Sequence, residues 1–180
     1  MSAVGWPEID PSRRPTLRTE RLVLAPPSEA DVPGLVAAAN DFEVARWLAR
    51  MPHPYTEADG RHFLDEVSPG EPVWTIRPLV GGEFLGTVGL KPVARDIGEL
   101  GYWLARAAWG RGYGTEAARC VVDYAFGTMR LARLQAIVLS DNHGSINLLA
   151  KLGFQSRGQT MKPSVILGRD ALHEEMALLR

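Results

Sequence analysis

Three glycines fall within five positions in the segment Trp109-Gly110-Arg111-Gly112-Tyr113-Gly114, and the residues that follow have the periodicity of an amphipathic helix. Backbone N–H groups in a glycine-rich turn that opens a helix converge on one point, where the helix dipole adds positive potential. This turn therefore predicts an anion site. The chemical question is which anion it would hold.

Two well-known phosphate loops fit the segment poorly. A P-loop places a Lys-Ser/Thr pair after its last glycine, whereas Thr115-Glu116 follows here. A dinucleotide fingerprint reads G-x-G-x-x-G in the first βα unit, whereas this G-x-G-x-G lies after residue 100, behind several predicted strands. On this segment alone, a glycine-rich turn without a ligand stays open as an alternative.

The other chemistry-bearing side chains are scattered. The single cysteine, Cys120, excludes an intramolecular disulfide and lies on the apolar stripe of the predicted helix, which favours buried packing. The histidines have no i, i+4 pair and no carboxylate partner, so no metal site is predicted. They are His53, His62, His143 and His173.

The elements that must position the glycine turn follow from periodicity and turn residues. A strand is expected over 17–24, and two capping boxes, Ser28-x-x-Asp31 and Thr56-x-x-Asp59, predict helix starts. A further helix begins near Phe42. The order expected for the whole chain is β-α-α-α-β-β-β-α-β-α-β-β, which indicates a mixed α/β (α+β) sheet with helices on its faces.

The strands after Pro72 form the centre of this prediction. A hairpin turns at Gly81-Gly82, and the strand over 97–105 contains Gly101, which predicts a bulge. A near-continuous apolar run over 134–140 predicts a buried strand, and a short helix follows over 144–152. Two closing strands complete the chain.

Length and composition indicate one soluble globular domain. The chain has 180 residues, 46% hydrophobic and 23% charged, with a formal net charge of −1. This balance gives no basic excess for nucleic acid, and the apolar stretches are too short to span a membrane, so a cytoplasmic location is the default expectation. Residues 1–15, with three prolines, predict a flexible N-terminal arm, and residues 16–180 a single domain.

Two separate motifs carry a family resemblance. GELGYWLARAAWGRGYGTEAA (98–118) and SDNHGSINLLAKLGF (140–154), joined by a helix and a buried strand, resemble the GNAT superfamily of acetyl-CoA-dependent N-acetyltransferases. The closer likeness is to the branch that includes the ribosomal-protein N-terminal acetyltransferases, and it extends from about Leu17 to Leu179. It implies a GNAT fold, with a central mixed, mostly antiparallel sheet, splayed fourth and fifth strands and helices on both faces.

The resemblance also implies a cosubstrate, acetyl-CoA, and no metal. The pyrophosphate of coenzyme A would rest on the backbone amides of a Q/R-x-x-G-x-G/A loop, in which Trp109 replaces the usual Gln or Arg. Backbone groups of the preceding strand would pair with the pantetheine arm, Asn142 would bind that arm, and Ser145 would lie near the sulfur. The implied loop residues are Arg111, Gly112, Tyr113, Gly114 and Thr115, and the implied strand residues are Tyr102, Trp103 and Leu104.

Catalysis by such an enzyme requires a neutral amine. The position of Glu99 matches an acidic residue common in this branch, which makes it the candidate base, with Asp96 a weaker substitute. Many GNAT enzymes use a tyrosine to protonate the departing thiolate, but the matching position here is Leu149, so Ser145 or water must serve. No G-x-S-x-G or Cys/His pattern occurs, which favours direct attack in a ternary complex over a covalent intermediate.

The expected function is transfer of acetyl to a primary amine. The resemblance favours a protein or peptide N-terminus and leaves small-molecule amines open. The acceptor groove would lie among the first two helices and the loops over 47–55 and 90–99. The missing tyrosine also leaves open a catalytically weak CoA-binding regulatory or interaction module. A homodimer is compatible with the family, although nothing in the composition indicates one.

Overall fold

Eight strands form one sheet in the computed structural model, which describes residues 14–48, 51–164 and 166–180. Their spatial order is β1-β2-β3-β4-β5-β6-β8-β7. All neighbours pair antiparallel except β5 and β6, which are parallel, so the predicted mixed, mostly antiparallel sheet is confirmed. The strands are β1 (Leu17–Arg18), β2 (Leu22–Ala25), β3 (Val73–Pro78), β4 (Gly86–Ala94), β5 (Ile97–Leu104), β6 (Arg133–Leu139), β7 (Gln155–Ser164) and β8 (Arg169–Leu179).

In the described part of the chain, five α-helices connect these strands in the predicted order. Three lie between β2 and β3, one joins β5 to β6, and one joins β6 to β7. Short 3-10 turns over Glu29–Asp31 and Arg106–Ala108 and a π-helical turn over Phe63–Val67 complete the connections. The helices are α1 (Val32–Ala39), α2 (Phe42–Ala45), α3 (Glu57–His62), α4 (Tyr113–Gly127) and α5 (His143–Lys151).

The first predicted strand is divided in two. The Thr19 N–H donates to the Leu22 carbonyl at 3.0 Å, and this turn folds the segment back on itself so that Leu17 pairs with Leu24. The prediction of one continuous strand over 17–24 is therefore wrong. The turn places Arg21 at the end of the sheet, beside the start of α4.

The two predicted capping boxes are confirmed. The Ser28 N–H donates to the Asp31 carboxylate at 2.8 Å, and the Thr56 N–H donates to the Asp59 carboxylate at 2.8 Å. Each box satisfies donors that the start of a helix leaves without intrahelical partners. The first box opens the 3-10 turn that continues into α1, and the second opens α3.

Strands β5 and β6 pair over only three residues each. Ile97, Gly98 and Glu99 pair with the segment 133–135, and the two strands diverge beyond that point. This wedge-shaped opening confirms the predicted splay, although the strands are the fifth and sixth here because the first is divided. The residues of β5 from Leu100 to Leu104 pair with β4 on one edge, and the structure gives them no strand partner on the other.

The predicted bulge at Gly101 is wrong. Gly101 pairs in regular register with Gly89, and the irregularity between β4 and β5 lies instead between Pro92 and Ala94. Proline has no N–H to donate to the ladder, which explains why the register shifts beside it. The regular register keeps residues 99, 101 and 103 on one face of the sheet.

Helices cover both faces of the sheet, as predicted. On one face, α4 and α5 pack against the main core, which contains Trp74, Val121 and Leu149, all fully buried. On the other face, Leu35 of α1 joins a smaller cluster with Tyr55 and partly buried Trp103. Each face of β5 therefore contacts a different core.

Cys120 lies half-buried against the main core, as its place on the apolar stripe predicted. Burial raises the pKa of the Cys120 thiol, and the nearby Asp123 and Glu116 carboxylates add to the effect. The thiol is therefore protonated at neutral pH.

Two residues of the predicted N-terminal arm contact the domain. Arg14 is buried and donates to the carbonyls of Ser68 and Val73 at 2.6 and 2.7 Å. The Pro15 carbonyl accepts a hydrogen bond from the Trp74 indole at 2.8 Å. The domain thus includes at least these two residues before position 16, and residues 1–13 of the predicted arm lie outside the described residues.

Candidate functional site

The glycine-rich turn forms the start of α4, as predicted. Gly112 is the N-cap residue with φ of +80°, and Gly110 has φ of +72°, so both adopt a left-handed conformation that favours glycine. The first helical hydrogen bond runs from the Glu116 N–H to the Gly112 carbonyl at 3.1 Å. The N–H groups of residues 112–115 precede it and have no intrahelical acceptor. Free N–H groups at a helix N-terminus are the kind of group that binds an anion.

At Gly114 the lack of a side chain matters for packing and not for backbone conformation. It lies within α4 and is buried, and an added Cβ would lie 3.0 Å from Leu148 Cδ1 and 3.1 Å from Leu104 Cδ1. The absence of a side chain therefore allows α4, α5 and β5 to approach closely. Gly112 thus provides a positive φ, whereas Gly114 serves the packing of neighbouring elements.

Arg21, which no sequence motif indicated, holds the glycine turn in place. Its Nη1 donates to the Arg111 carbonyl at 3.0 Å and its Nε to the Glu116 carboxylate at 2.7 Å. Its guanidinium also lies over the Tyr113 ring, 4.8 Å from the centroid. Arg21 is about 90 residues from these partners in the chain, so no local pattern could have indicated the contact.

Glu116 lies near the start of α4 and holds the β1–β2 turn in place. Its carboxylate accepts hydrogen bonds from the Thr19 hydroxyl at 2.6 Å and from the Arg21 N–H at 2.9 Å. Burial alone would raise the pKa of this carboxyl, but these hydrogen bonds and the Arg21 charge lower it overall. Glu116 thus holds the β1–β2 turn against the helix, and its charge also complements the helix dipole.

Replacing Glu116 by Gln is expected to lower the free energy of unfolding by about 1 kcal/mol at pH 7, because charged hydrogen bonds to a half-exposed arginine are lost. A group with a lowered folded pKa stabilises above its unfolded pKa, about 4.3, and loses that contribution as pH falls through the folded value. The difference between wild type and variant should therefore shrink toward pH 3. Urea unfolding at pH 7 and pH 3 measures the difference in the free energy of unfolding, with Glu20→Gln as the matched control. A difference that does not change with pH would contradict this prediction.

Tyr102, Ser145 and Asn142 meet across the opening between β5 and β6. The Tyr102 hydroxyl lies 2.7 Å from the Ser145 Oγ, and the Asn142 side-chain oxygen caps α5 by accepting from the Ser145 N–H at 3.1 Å. Burial raises the pKa of Tyr102 to about 12, against the opposing effect of the Ser145 hydrogen bond. The phenol therefore keeps its proton at neutral pH, so the opening is lined by two protonated hydroxyls.

Leu149 offers no acid at this opening. It is fully buried in the main core, one helical turn after Ser145. The hydroxyl beside Ser145 is that of Tyr102, from the facing strand.

The last part of β5 alternates between the two cores. Leu104, like Tyr102, packs against the main core, whereas the Trp103 ring meets Phe84 on the opposite face, with centroids 5.8 Å apart. The Leu104 carbonyl accepts a hydrogen bond from the Trp109 indole at 2.8 Å. Trp109 thus connects the end of β5 to the glycine turn.

Glu99 lies at the point where β5 and β6 separate. It is half-buried, and the Gln135 Nε2 donates to its carboxylate at 3.1 Å. Side-chain alternation puts Glu99 on the Trp103 face of the strand, opposite the face that carries Tyr102. The two predicted catalytic residues, Glu99 and Ser145, therefore approach the opening from opposite faces of the sheet. Asp96, the weaker candidate base, lies exposed in the β4–β5 turn.

Among the described residues, no three His, Cys, Asp or Glu side chains group closely enough to hold a metal ion. None of the helices in this part of the chain is both long and apolar enough to cross a membrane.

Comparisons with known proteins agree on one family. Residues 21–155 match the profile described as Acetyltransferase (GNAT) domain. An uncharacterised N-acetyltransferase, p20, from Bacillus licheniformis is 32% identical over 151 residues, covering 79% of this chain and 84% of its own length.

Solved structures agree on the fold. A GNAT-family acetyltransferase from Bacillus anthracis superposes with a TM-score of 0.82 at 21% identity, covering 92% of this chain and 98% of its own. A ribosomal-protein-S5-alanine acetyltransferase from Vibrio fischeri gives 0.81 at 20% identity, covering 92% and 96%. At these identities the two structures show a shared fold.

Proposed function

Because the chain belongs to the GNAT acetyltransferase family, as its motifs predicted, we propose that it transfers acetyl from acetyl-CoA directly to a primary amine within a ternary complex. A protein or peptide N-terminus is the first choice of acceptor. The observation that carries the proposal is the opening between β5 and β6, which has a helix N-terminus at its side and a carboxylate, Glu99, where the strands part.

The residues of this opening fit acetyl-CoA. Backbone N–H groups of residues 112–115 suit its pyrophosphate, with Arg111 exposed beside them, and the open edge of β5 suits its amide-bearing pantetheine arm. Asn142 and Ser145 lie across from that edge. When bound, acetyl-CoA supplies an acetyl group activated as a thioester.

Glu99 has the position to act as the base. A primary amine is mostly protonated at neutral pH, and a carboxylate at the opening can take that proton directly or through one water. Gln135, which donates a hydrogen bond to the carboxylate, orients it. On the opposite face, the Ser145 and Tyr102 hydroxyls can donate to the departing sulfur, which needs little help because a thiol has a pKa of about 8.5.

Amine-dependent release of free thiol tests the proposal. The protein is incubated with acetyl-CoA and a panel of peptide N-termini, amino acids, polyamines and aminoglycosides, and thiol is measured with a colorimetric reagent. We expect release that rises with acceptor concentration for at least one class. Tight CoA binding without thiol release from any acceptor would instead favour the alternative, a CoA-binding regulatory or interaction module, for which the lack of an acid at Leu149 is the supporting observation.

A further inference from the structure

A cavity of about 100 Å³ opens on the face of the sheet over β6, β7 and β8. It lies outside the glycine turn and the hydroxyl pair described above, and its walls are mostly polar side chains. The residues that the argument uses are Arg133, Gln135, Arg157, Lys162 and Glu175.

The charge of this cavity is positive. Three of its side chains are cationic, and its carboxylate, Glu175, lies 3.7 Å from Lys162. Within the described part of the chain, Arg133 and Arg157 have no carboxylate partner. The cavity therefore has two cations in excess of its single acid, which favours an anionic occupant.

Arg133 also presents an unsatisfied donor. Its Nε is buried and has no hydrogen-bond acceptor among the described residues. Arg133 forms part of the cavity wall, and the acceptors that best match a guanidinium are a carboxylate and a phosphate, which can bind two of its N–H groups at once. The limited volume favours the smaller, planar carboxylate.

Gln135 connects the cavity to the candidate base. It forms part of the cavity wall, and its Nε2 donates to Glu99 at 3.1 Å. Neighbouring strands lie about 5 Å apart, so an anion over β6 or β8 would be roughly 5–10 Å from an amine at Glu99 on β5. One small molecule, or the first residues of a peptide, can span that distance.

We propose that this cavity binds a carboxylate of the acceptor, so that the preferred acceptors are amines that carry a carboxylate close to the reacting nitrogen. The inference rests on the proposed function. The carboxylate can come from two sources: the α-carboxylate of a free amino acid, or an acidic side chain near the N-terminus of a peptide. Neutral amines and polyamines lack it and are expected to be poor acceptors.

Matched acceptor pairs test the proposal by thiol release. Alanine is compared with alaninamide, and the peptide amide Ala-Glu-Ala with Ala-Gln-Ala. We expect the carboxylate-bearing member of at least one pair to have a kcat/KM at least about tenfold higher, and the pair that shows the preference identifies the source. In Arg157→Gln, the preference should fall below threefold while the KM for acetyl-CoA stays unchanged. Arg18→Gln, an exposed arginine on β1 at the far edge of the sheet, is the matched control.

A second readout does not depend on turnover. Calorimetric titration of L-glutamate into the CoA-saturated protein should show binding that weakens at least fivefold in Arg157→Gln and in Arg133→Gln, with thermal unfolding confirming that both variants fold. Equal kcat/KM within both pairs, together with thiol release, would overturn the carboxylate site and leave the acetyltransferase intact. No thiol release from any acceptor would overturn the proposed function. In that case glutamate binding still tests the cavity, and identical glutamate binding by wild type and both variants would overturn the carboxylate site.

Discussion

Replacing Glu99 by Gln is expected to lower kcat at least about 100-fold at pH 7, because the amine then has no positioned carboxylate to take its proton. The variant amide keeps the shape of the side chain and can still meet Gln135, which donates to the native carboxylate at 3.1 Å. Affinity for coenzyme A should stay within about twofold, because the pyrophosphate site that we propose is at the start of α4, away from Glu99. Steady-state thiol release and equilibrium CoA binding measure the two quantities separately.

The pH dependence of kcat shows whether Glu99→Gln loses activity because the base is missing or because the variant is misfolded. An α-amine has a pKa of about 7.7–8.0, so by pH 9 most of the acceptor is already neutral in solution. The deficit of Glu99→Gln should therefore shrink several-fold between pH 7 and pH 9. Asp96→Asn, three residues earlier in the β4–β5 turn, is the control and should retain activity. A full loss in Asp96→Asn with a normal Glu99→Gln would transfer the base to Asp96.

Replacing Gly112 by Glu is expected to weaken coenzyme A binding at least about 100-fold. The new carboxylate would lie at the N-terminus of α4, where it would repel the pyrophosphate and occupy the positive end of the helix dipole. Gly112 has φ of +80°, so any side chain also introduces backbone strain, and an added Cβ would lie 3.3 Å from the Arg21 Nη2. The carboxylate can also compete with Glu116 for Arg21.

Gly112→Ala separates the effect of the added charge on CoA affinity from the effect of backbone strain. It has the same left-handed strain but no charge, and it keeps the backbone N–H groups, so its CoA affinity should fall much less than that of the Glu variant. Raising the salt concentration should narrow the gap between the two variants, because screening weakens the repulsion. Equal affinities of wild type and Gly112→Glu would show that the pyrophosphate binds elsewhere. Calorimetry with coenzyme A provides the affinities.

Local features of the sequence predicted the local structure well. The boxes at Ser28 and Thr56 mark true helix starts, and the spacing of glycines before an amphipathic run places the start of α4 at Gly112. These predictions succeed because capping and left-handed turns depend on residues only a few positions apart.

Contacts between distant segments could not be predicted in the same way. Arg21 reaches Glu116 across 95 positions, and Gln135 reaches Glu99 only because β5 and β6 run parallel with that register. A glycine inside a strand is typical of a bulge, but Gly101 pairs in regular register. The pairing of β4 with β5 is irregular beside Pro92 instead, because proline has no N–H to donate. In each case the deciding interaction depends on strand pairing, which a single sequence does not reveal.

The bare Cα of Gly114 has a consequence for the thermodynamics of recognition. A Cβ at this position would lie 3.0 Å from Leu148 of α5 and 3.1 Å from Leu104 of β5, so the first turn of α4, the end of β5 and the helix that carries Ser145 pack closely together at Gly114. This packing holds the three elements in place when the chain folds. If they bind the cosubstrate as we propose, the protein itself therefore has little conformational entropy left to lose on binding.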